Sequence, residues 1–251
     1  MNILIGIMQE NKIIILLLTC LSYFLVFFIL LFFLLPAFIL VALLPAKKCP
    51  DNRLLFWFLD MAYRGIITVG FLPVKIHGEK IPNTPTIFVA NHQSSLDIPL
   101  IGLLMHGYPH IWYVLESYAR KPILNLFVKK NLGVSLSCES PTQAARGLIE
   151  GIRLIENKNR HIIIFPEGGR FTDGTVHEFF QGFAVIAKKT QRPVVPLYMP
   201  NNGKIYPPHR FLVHRFPFYV IIGPSYWYQS DDTDETFTQR IYKWFKEQEQ
   251  Q

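Results

Sequence analysis

Hydrophobic and polar positions follow two different rhythms along this chain. From Ile13 to Ala46 there is none at all: the 34 residues IIILLLTCLSYFLVFFILLFFLLPAFILVALLPA carry no charge. About 20 apolar residues cross a bilayer core of about 30 Å, whereas the apolar part of a secretory signal runs to about 7–15. The run therefore predicts a membrane segment, and it is too short for two complete crossings, which need about 40 residues. Two forms fit: a span over Ile13–Leu35 that ends at Pro36, or a helical hairpin bent near Pro36 that dips into one leaflet. Lys47, Lys48 and Arg53 follow at once. Positive charge there marks the cytoplasmic flank, so the rest of the chain is expected to face the cytoplasm. The next stretch, NRLLFWFLDMAYRGIITVGFLP, sets Asp60 and Arg64 among apolar and aromatic residues. It suits an interfacial helix and an ordinary core helix equally.

From Val74 the rhythm changes to short apolar runs broken by turns. VKIHG, TIFVA, IWYVLE, HIIIF, RPVVPLYM and FYVIIG read as strands. Between them KPILNLFVKKNLG, AARGLIEGIRLIEN and QGFAVIAKKT read as helices; Ala144, Leu148, Ile152 and Ile155 recur at helical spacing. The closing segment DDTDETFTQRIYKWFKEQEQQ has acids first, lysines late, and Phe237, Ile241, Trp244 and Phe245 on one face. It predicts a capped amphipathic helix. Alternating strands and helices imply an α/β fold with a mixed, largely parallel sheet flanked by helices, preceded by the membrane helix or hairpin. The division expected is residues 1–73 for anchoring and residues 74–251 for a cytosolic domain.

Composition narrows the class. The chain has 251 residues, half of them hydrophobic, with 21 Phe and a net charge of +7. Such a charge favours anionic partners: phospholipid headgroups, nucleic acid or a phosphorylated cofactor. No nucleic-acid-binding motif is present, and the apolar N-terminal run sits poorly with that use. Cys20, Cys49 and Cys138 are odd in number and lack metal spacing, so they read as reduced thiols. His77, His106, His110, His161, His177, His209 and His214 also lack paired-ligand spacing.

Two loops hold the candidate chemistry. NHQSSLD follows the strand Thr86–Ala90, and PEGGR follows the strand Ile162–Phe165. Sites in open α/β sheets form beyond the carboxyl ends of strands, so the two loops can share a cleft. His92 and Asp97 are five apart, a spacing that misses a shared helical face. They can meet if His92 lies in the loop and Asp97 in a first helical turn, with Ser94 or Ser95 as N-cap and Pro99 in that turn. Asp97 would then accept from His92 Nδ1–H and leave Nε2 free as a base. The serines lack a nucleophile-elbow motif, and Asn91 suits a turn-bonding role.

NHQSSLD resembles the NHxxxxD motif, and FPEGGR the FPEGTR motif, of the glycerolipid acyltransferases, the 1-acylglycerol-3-phosphate type most closely. The resemblance runs over Val74–Pro224 in motif order, with VKIHGEKIP, KPILNLF, GVSLS, QGFAVIA and VVPLY in place. It implies a membrane-bound enzyme moving a fatty acyl group onto a lysophospholipid hydroxyl, 1-acylglycerol-3-phosphate above all. The donor would be acyl-CoA or acyl-carrier protein as cosubstrate, with no resident cofactor or metal and no nucleic-acid partner. His92 held by Asp97 would be the base. Glu167, Gly168, Gly169 and Arg170 would serve substrate binding, the glycines by close approach, Arg170 by its phosphate-matching fork and Glu167 by contacting the acceptor or by organising the loop. Two departures stand out: Gly169 and Phe171 replace Thr and Ser, and in GVSLSCE Glu139 occupies the family's arginine position. Arg146, or Arg120 with Lys121, would then supply positive charge for an acceptor phosphate. If none does, the acceptor headgroup differs, or the protein binds lipid with weakened catalysis.

Overall fold

The computed structural model describes residues 11–71, 73–137, 140–156 and 158–250. Its first element, α1 (Lys12–Leu43), is one continuous helix, long and apolar enough to cross a membrane. It neither stops at Pro36 nor folds back into a hairpin. Pro36 has no N–H, and its ring would crowd the carbonyl of Phe32 in a regular turn. A π-helical turn at Leu30–Leu34 precedes it, with the Leu35 N–H bonded to Leu30 O, and this wider turn lets the helix pass the proline.

Polar side chains tie α1 to the body. Thr19 Oγ1 accepts from Val213 N (3.2 Å), and Ser22 Oγ accepts from Arg215 Nη2 (2.9 Å). Lys130 Nζ donates to the helix's last carbonyls, at 3.0 Å for Ala42 O, and also to Leu44 O. Ala37 and Val41 bury against Leu55, Phe56 and Leu59 of α2 (Arg53–Val69). The opposite face of α1, with Ile13, Leu17, Phe24, Phe27 and Phe32, is exposed. Helix α2 buries one face against the body and exposes Leu54 and Trp57.

Among the described residues seven strands follow: β1 (Val74–Gly78), β2 (Ile87–Ala90), β3 (His110–Leu115), β4 (Gly133–Leu136), β5 (His161–Ile164), β6 (Val194–Tyr198) and β7 (Phe218–Ile222). Their order is β1-β7-β6-β2-β5-β3-β4. The five from β6 to β4 are parallel, whereas β1 and β7 pair parallel to each other and β7 joins β6 antiparallel. Between them lie α3 (Asp97–Leu104), α4 (Glu116–Ala119), α5 (Pro122–Lys129), α6 (Pro141–Ile155), α7 (Gly182–Thr190) and α8 (Asn202–Ile205), and α9 (Asp234–Glu249) closes the chain. Thr233 and Thr236 form a capping box that starts α9.

Alternate residues of the central strands feed opposite cores. Ile87, Val89, Ile162 and Ile164 pack with Phe183 and Ile186 of α7 and Phe237, Ile241 and Phe245 of α9. Phe88, Ala90, Ile163, Val195 and Leu197 face Leu100, Ile101 and Leu104 of α3. Strand β4 escapes the periodicity because it is four residues long and begins with glycine. Cys20 and Cys49 are free thiols, and Cys138 lies outside the described residues.

Candidate active site

Three strand exits converge. In register Val89 pairs with Ile164, so three residues further on His92 and Glu167 stand at the same height on neighbouring loops. On the other side of β2, Ala90 pairs with Leu197, which brings Met199 and Asn202 alongside. The loops are bonded accordingly. Asn91 Oδ1 accepts from Met199 N (2.7 Å), and its Nδ2 donates to Met199 O (3.0 Å). Phe171 N donates to His92 O (2.9 Å).

His92 Nδ1 lies 2.8 Å from Asp97 Oδ2. An ionised carboxylate only accepts, so Nδ1 carries the proton and Nε2 presents its lone pair. Asp97 is fully buried and opens α3, where the helix dipole favours a negative charge. Its Oδ2 also accepts from the Gln93 and Ser94 amides at 2.7 and 2.8 Å, and its Oδ1 accepts from Asn202 Nδ2 at 2.9 Å. The His92 ring stacks on Phe165, 4.0 Å between centroids. His92 and Asp97 therefore meet in the arrangement expected, the histidine in the loop and the carboxylate in the first helical turn.

The serines do something other than expected. Leu96 occupies the N-cap position without a side-chain cap, and Ser94 Oγ takes the Leu96 N–H (3.3 Å) while donating to Tyr206 O (3.0 Å). Ser95 Oγ accepts from Arg170 Nη1 (2.8 Å). Pro99 does lie in the first turn.

Glu167 is 5 % exposed, and both its oxygens are engaged: Oε1 accepts from His92 N and Oε2 from His177 N, each at 2.8 Å. Burial raises its carboxyl to about 7, against those two N–H bonds that favour the anion. Gly168 has φ +67°, a left-handed conformation that suits glycine. Arg170 donates from Nη2 to Tyr118 OH (2.7 Å), and Lys121 Nζ stands 4.6 Å from the same ring.

Behind His92 opens a cavity of about 1160 Å³. His92, Ser95, Tyr118, Gly168, Gly169 and Arg170 supply its polar part, and Leu30, Leu34, Phe38, Leu59, Ile66, Trp112, Phe127 and Leu132 are among its apolar walls. The π-turn of α1 is thus part of the wall. Arg146 lies elsewhere, lining a separate cavity of about 370 Å³ with Glu116, Ser137 and Glu150. Arg120 pairs with Glu116 at 2.6 Å. Glu139 lies outside the described residues. Sequence reasoning missed Asn202, Phe165 and Tyr118; Asn202 reads only as a turn residue in PNNGK.

A carboxylate-backed histidine over a long apolar cavity is equipment for moving a proton beside an apolar chain. Residues 73–200, half of the sequence, match the Acyltransferase family model, and the chain belongs to the acyltransferase family. It is 27 % identical over 164 residues to a 1-acyl-sn-glycerol-3-phosphate acyltransferase of Limnanthes douglasii, covering 62 % of this chain and 55 % of that protein. A protein of that name from Cocos nucifera is 30 % identical over 157 residues, 59 % of this chain and 44 % of its own. The chain spans about half the length of these plant relatives. The solved structure of the 1-acyl-sn-glycerophosphate (LPA) acyltransferase PlsC from Thermotoga maritima superposes with a TM-score of 0.74. It is 25 % identical and covers 95 % of this chain and 97 % of its own.

Proposed function

We propose that this protein is a membrane-bound O-acyltransferase that moves a fatty acyl group from a thioester donor to 1-acylglycerol-3-phosphate, giving phosphatidic acid. The observation that carries this reading is the His92–Asp97 pair at the polar end of the long apolar cavity. His92 Nε2 takes the proton of the acceptor hydroxyl as its oxygen attacks the thioester carbonyl. The tetrahedral intermediate collapses, the carbon–sulfur bond breaks, and the thiolate leaves with the proton from His92. An ester replaces a thioester, and no acyl-enzyme forms. General-base assistance of this kind is worth about 10²–10⁴-fold.

The apolar walls fit an acyl chain, and Gly168 and Gly169 allow the reacting carbonyl close approach. Arg170 and Lys121, both against Tyr118, form a basic rim for the acceptor phosphate. Glu167, with both oxygens on backbone amides, serves by holding the two loops together. Acyl-CoA and acyl-carrier protein both fit as donor. The exposed apolar face of α1 supports membrane attachment, and Lys47, Lys48 and Arg53 favour a cytoplasmic side for residues 74–251, which carry the catalytic part. In this arrangement α1 and α2 are anchor and cavity wall together.

A screen of lysolipid acceptors with purified protein and labelled acyl-CoA tests the proposal. Labelled phosphatidic acid should dominate. Preferred transfer to a zwitterionic lysophospholipid would overturn the acceptor assignment, and no transfer to any lysolipid would overturn the reaction.

A further inference from the structure

Asp97 Oδ2 is crowded with donors: the His92 ring and the amides of Gln93 and Ser94. All three come from its own loop. Oδ1 has a single donor among the described residues, Asn202 Nδ2 at 2.9 Å, from a segment 105 residues away. Asn202 is fully buried. Its backbone is delivered by Asn201, whose left-handed φ of +60° turns the chain off β6, and by Gly203, whose N–H reaches Gln93 Oε1 at 3.5 Å. A side chain on Gly203 would crowd Thr172 and come into contact with the Gln93 carbonyl, so the turn sits flush against the His92 loop.

The other end of the amide is informative. Asn202 Oδ1 is buried with no hydrogen-bond partner among the described residues. Turning the amide over would aim that oxygen at the Asp97 carboxylate, so charge sets its orientation. A buried carbonyl oxygen without a donor is costly, and it is retained where the nitrogen end satisfies Asp97.

We propose that Asn202 is a positioning residue: by holding Asp97 Oδ1 it fixes the carboxylate's rotation, and so keeps Oδ2 in line with His92 Nδ1 and the ring in its Nδ1–H tautomer. The role rests on the acyl-transfer reading for its effect on rate, but its effect on the His92 ring does not depend on substrate. Asn202 is fully buried and is not among the described residues that line the cavity. Its loss therefore lowers kcat and leaves KM nearly alone.

Asn202→Ala and the isosteric Asn202→Asp test this in full-length protein in detergent, beside wild type. In Asn202→Ala kcat should fall about tenfold or more with KM within about twofold. In Asn202→Asp two carboxylates share one site and hold one proton between them at low pH, which keeps a donor on Asp97 Oδ1. As pH rises and that proton leaves, the donor is lost, and kcat should show a descending alkaline limb absent from wild type. The neighbouring charged groups, Glu167, Arg170 and His177, are the same in all three proteins. Nitrogen NMR of ¹⁵N-histidine-labelled protein gives the second readout, with the His92 signals assigned by their absence in His92→Gln. Wild type should show one tautomer, protonated at Nδ1, and Asn202→Ala a mixture. An unchanged His92 tautomer in a folded Asn202→Ala overturns the positioning role whatever the reaction proves to be. So does an Asn202→Asp rate profile parallel to wild type. Wild-type protein inactive with every lysolipid, but with the tautomer shift present, overturns the acyl-transfer reading and leaves this role standing.

Discussion

The two ends of the central strands hold histidines in opposite circumstances. At the carboxyl end His92 meets a buried carboxylate and lines a cavity. At the amino end His110 and His161, register partners on β3 and β5, are buried with backbone partners. His110 Nδ1 faces Tyr108 O at 2.8 Å, and His161 Nδ1 accepts from Thr86 N at 3.1 Å. Burial without a carboxylate bond holds both rings neutral: His110 is lowered to about 4 and His161 to about 3. One type of side chain thus serves packing at one end and, in the proposed reaction, proton transfer at the other. The partner, rather than burial alone, separates the two roles.

The largest expected effect comes from removing the partner while keeping its shape. Asp97→Asn should lower kcat by about 10²-fold or more, because the ring loses the acceptor that sets its tautomer. Steady-state kinetics on protein shown to melt cooperatively checks this, and near-wild-type kcat would erase the distinction between the two ends. Arg170→Ala should come next, raising KM for a phosphate-bearing acceptor about tenfold or more with kcat less affected, since its fork is proposed to bind rather than react. An unchanged KM would remove Arg170 from the rim.

The amino-terminal pair should act on stability instead. Below about pH 6.5 the unfolded chain binds protons that folded His110 and His161 refuse until about pH 4 and 3. Stability from these two is complete above pH 6.5 and falls as pH drops, by about 1.4 kcal/mol per pH unit for each ring. Glu167 opposes them between about pH 7 and 4.5, because its raised carboxyl takes a proton in the folded state first. The net loss should therefore be gentle down to about pH 4.5 and steeper just below it. Denaturant unfolding across that range checks the shape. His161→Phe should flatten the acid slope and leave kcat within about twofold; a large loss of kcat would mean that the two ends are not independent. The smallest effect belongs to Ser95→Ala, about twofold in rate, since among the described residues its hydroxyl only accepts from Arg170. An acyl group trapped on Ser95 would replace the direct mechanism with a covalent one.

What the sequence revealed divides along similar lines. His92 and Asp97 were legible because the loop, the first turn and both groups lie within six residues. The central parallel strands were legible as apolar runs, and α9 as a capped face. The antiparallel placement of β1 and β7 was not, because pairing direction leaves no mark on a five-residue run. Asn202 was hidden for a similar reason: a turn asparagine looks alike whether its amide meets water or a carboxylate 105 residues away. Thr19 and Ser22 were two polar residues in an apolar run until the fold set Val213 and Arg215 against them. Pro36 suggested a break because the compensating π-turn is made of leucine and phenylalanine, which announce nothing.

The central claim is that His92 is the base for direct acyl transfer. Rapid-quench single turnover with labelled acyl-CoA and 1-acylglycerol-3-phosphate, in wild type and His92→Ala, tests it most directly. Wild type should convert bound donor to labelled phosphatidic acid without protein-bound label. His92→Ala should bind donor equally and turn over about 10²-fold or more slowly. A His92→Ala protein that transfers at the wild-type rate, or wild-type protein that carries the acyl label before product forms, would contradict the account.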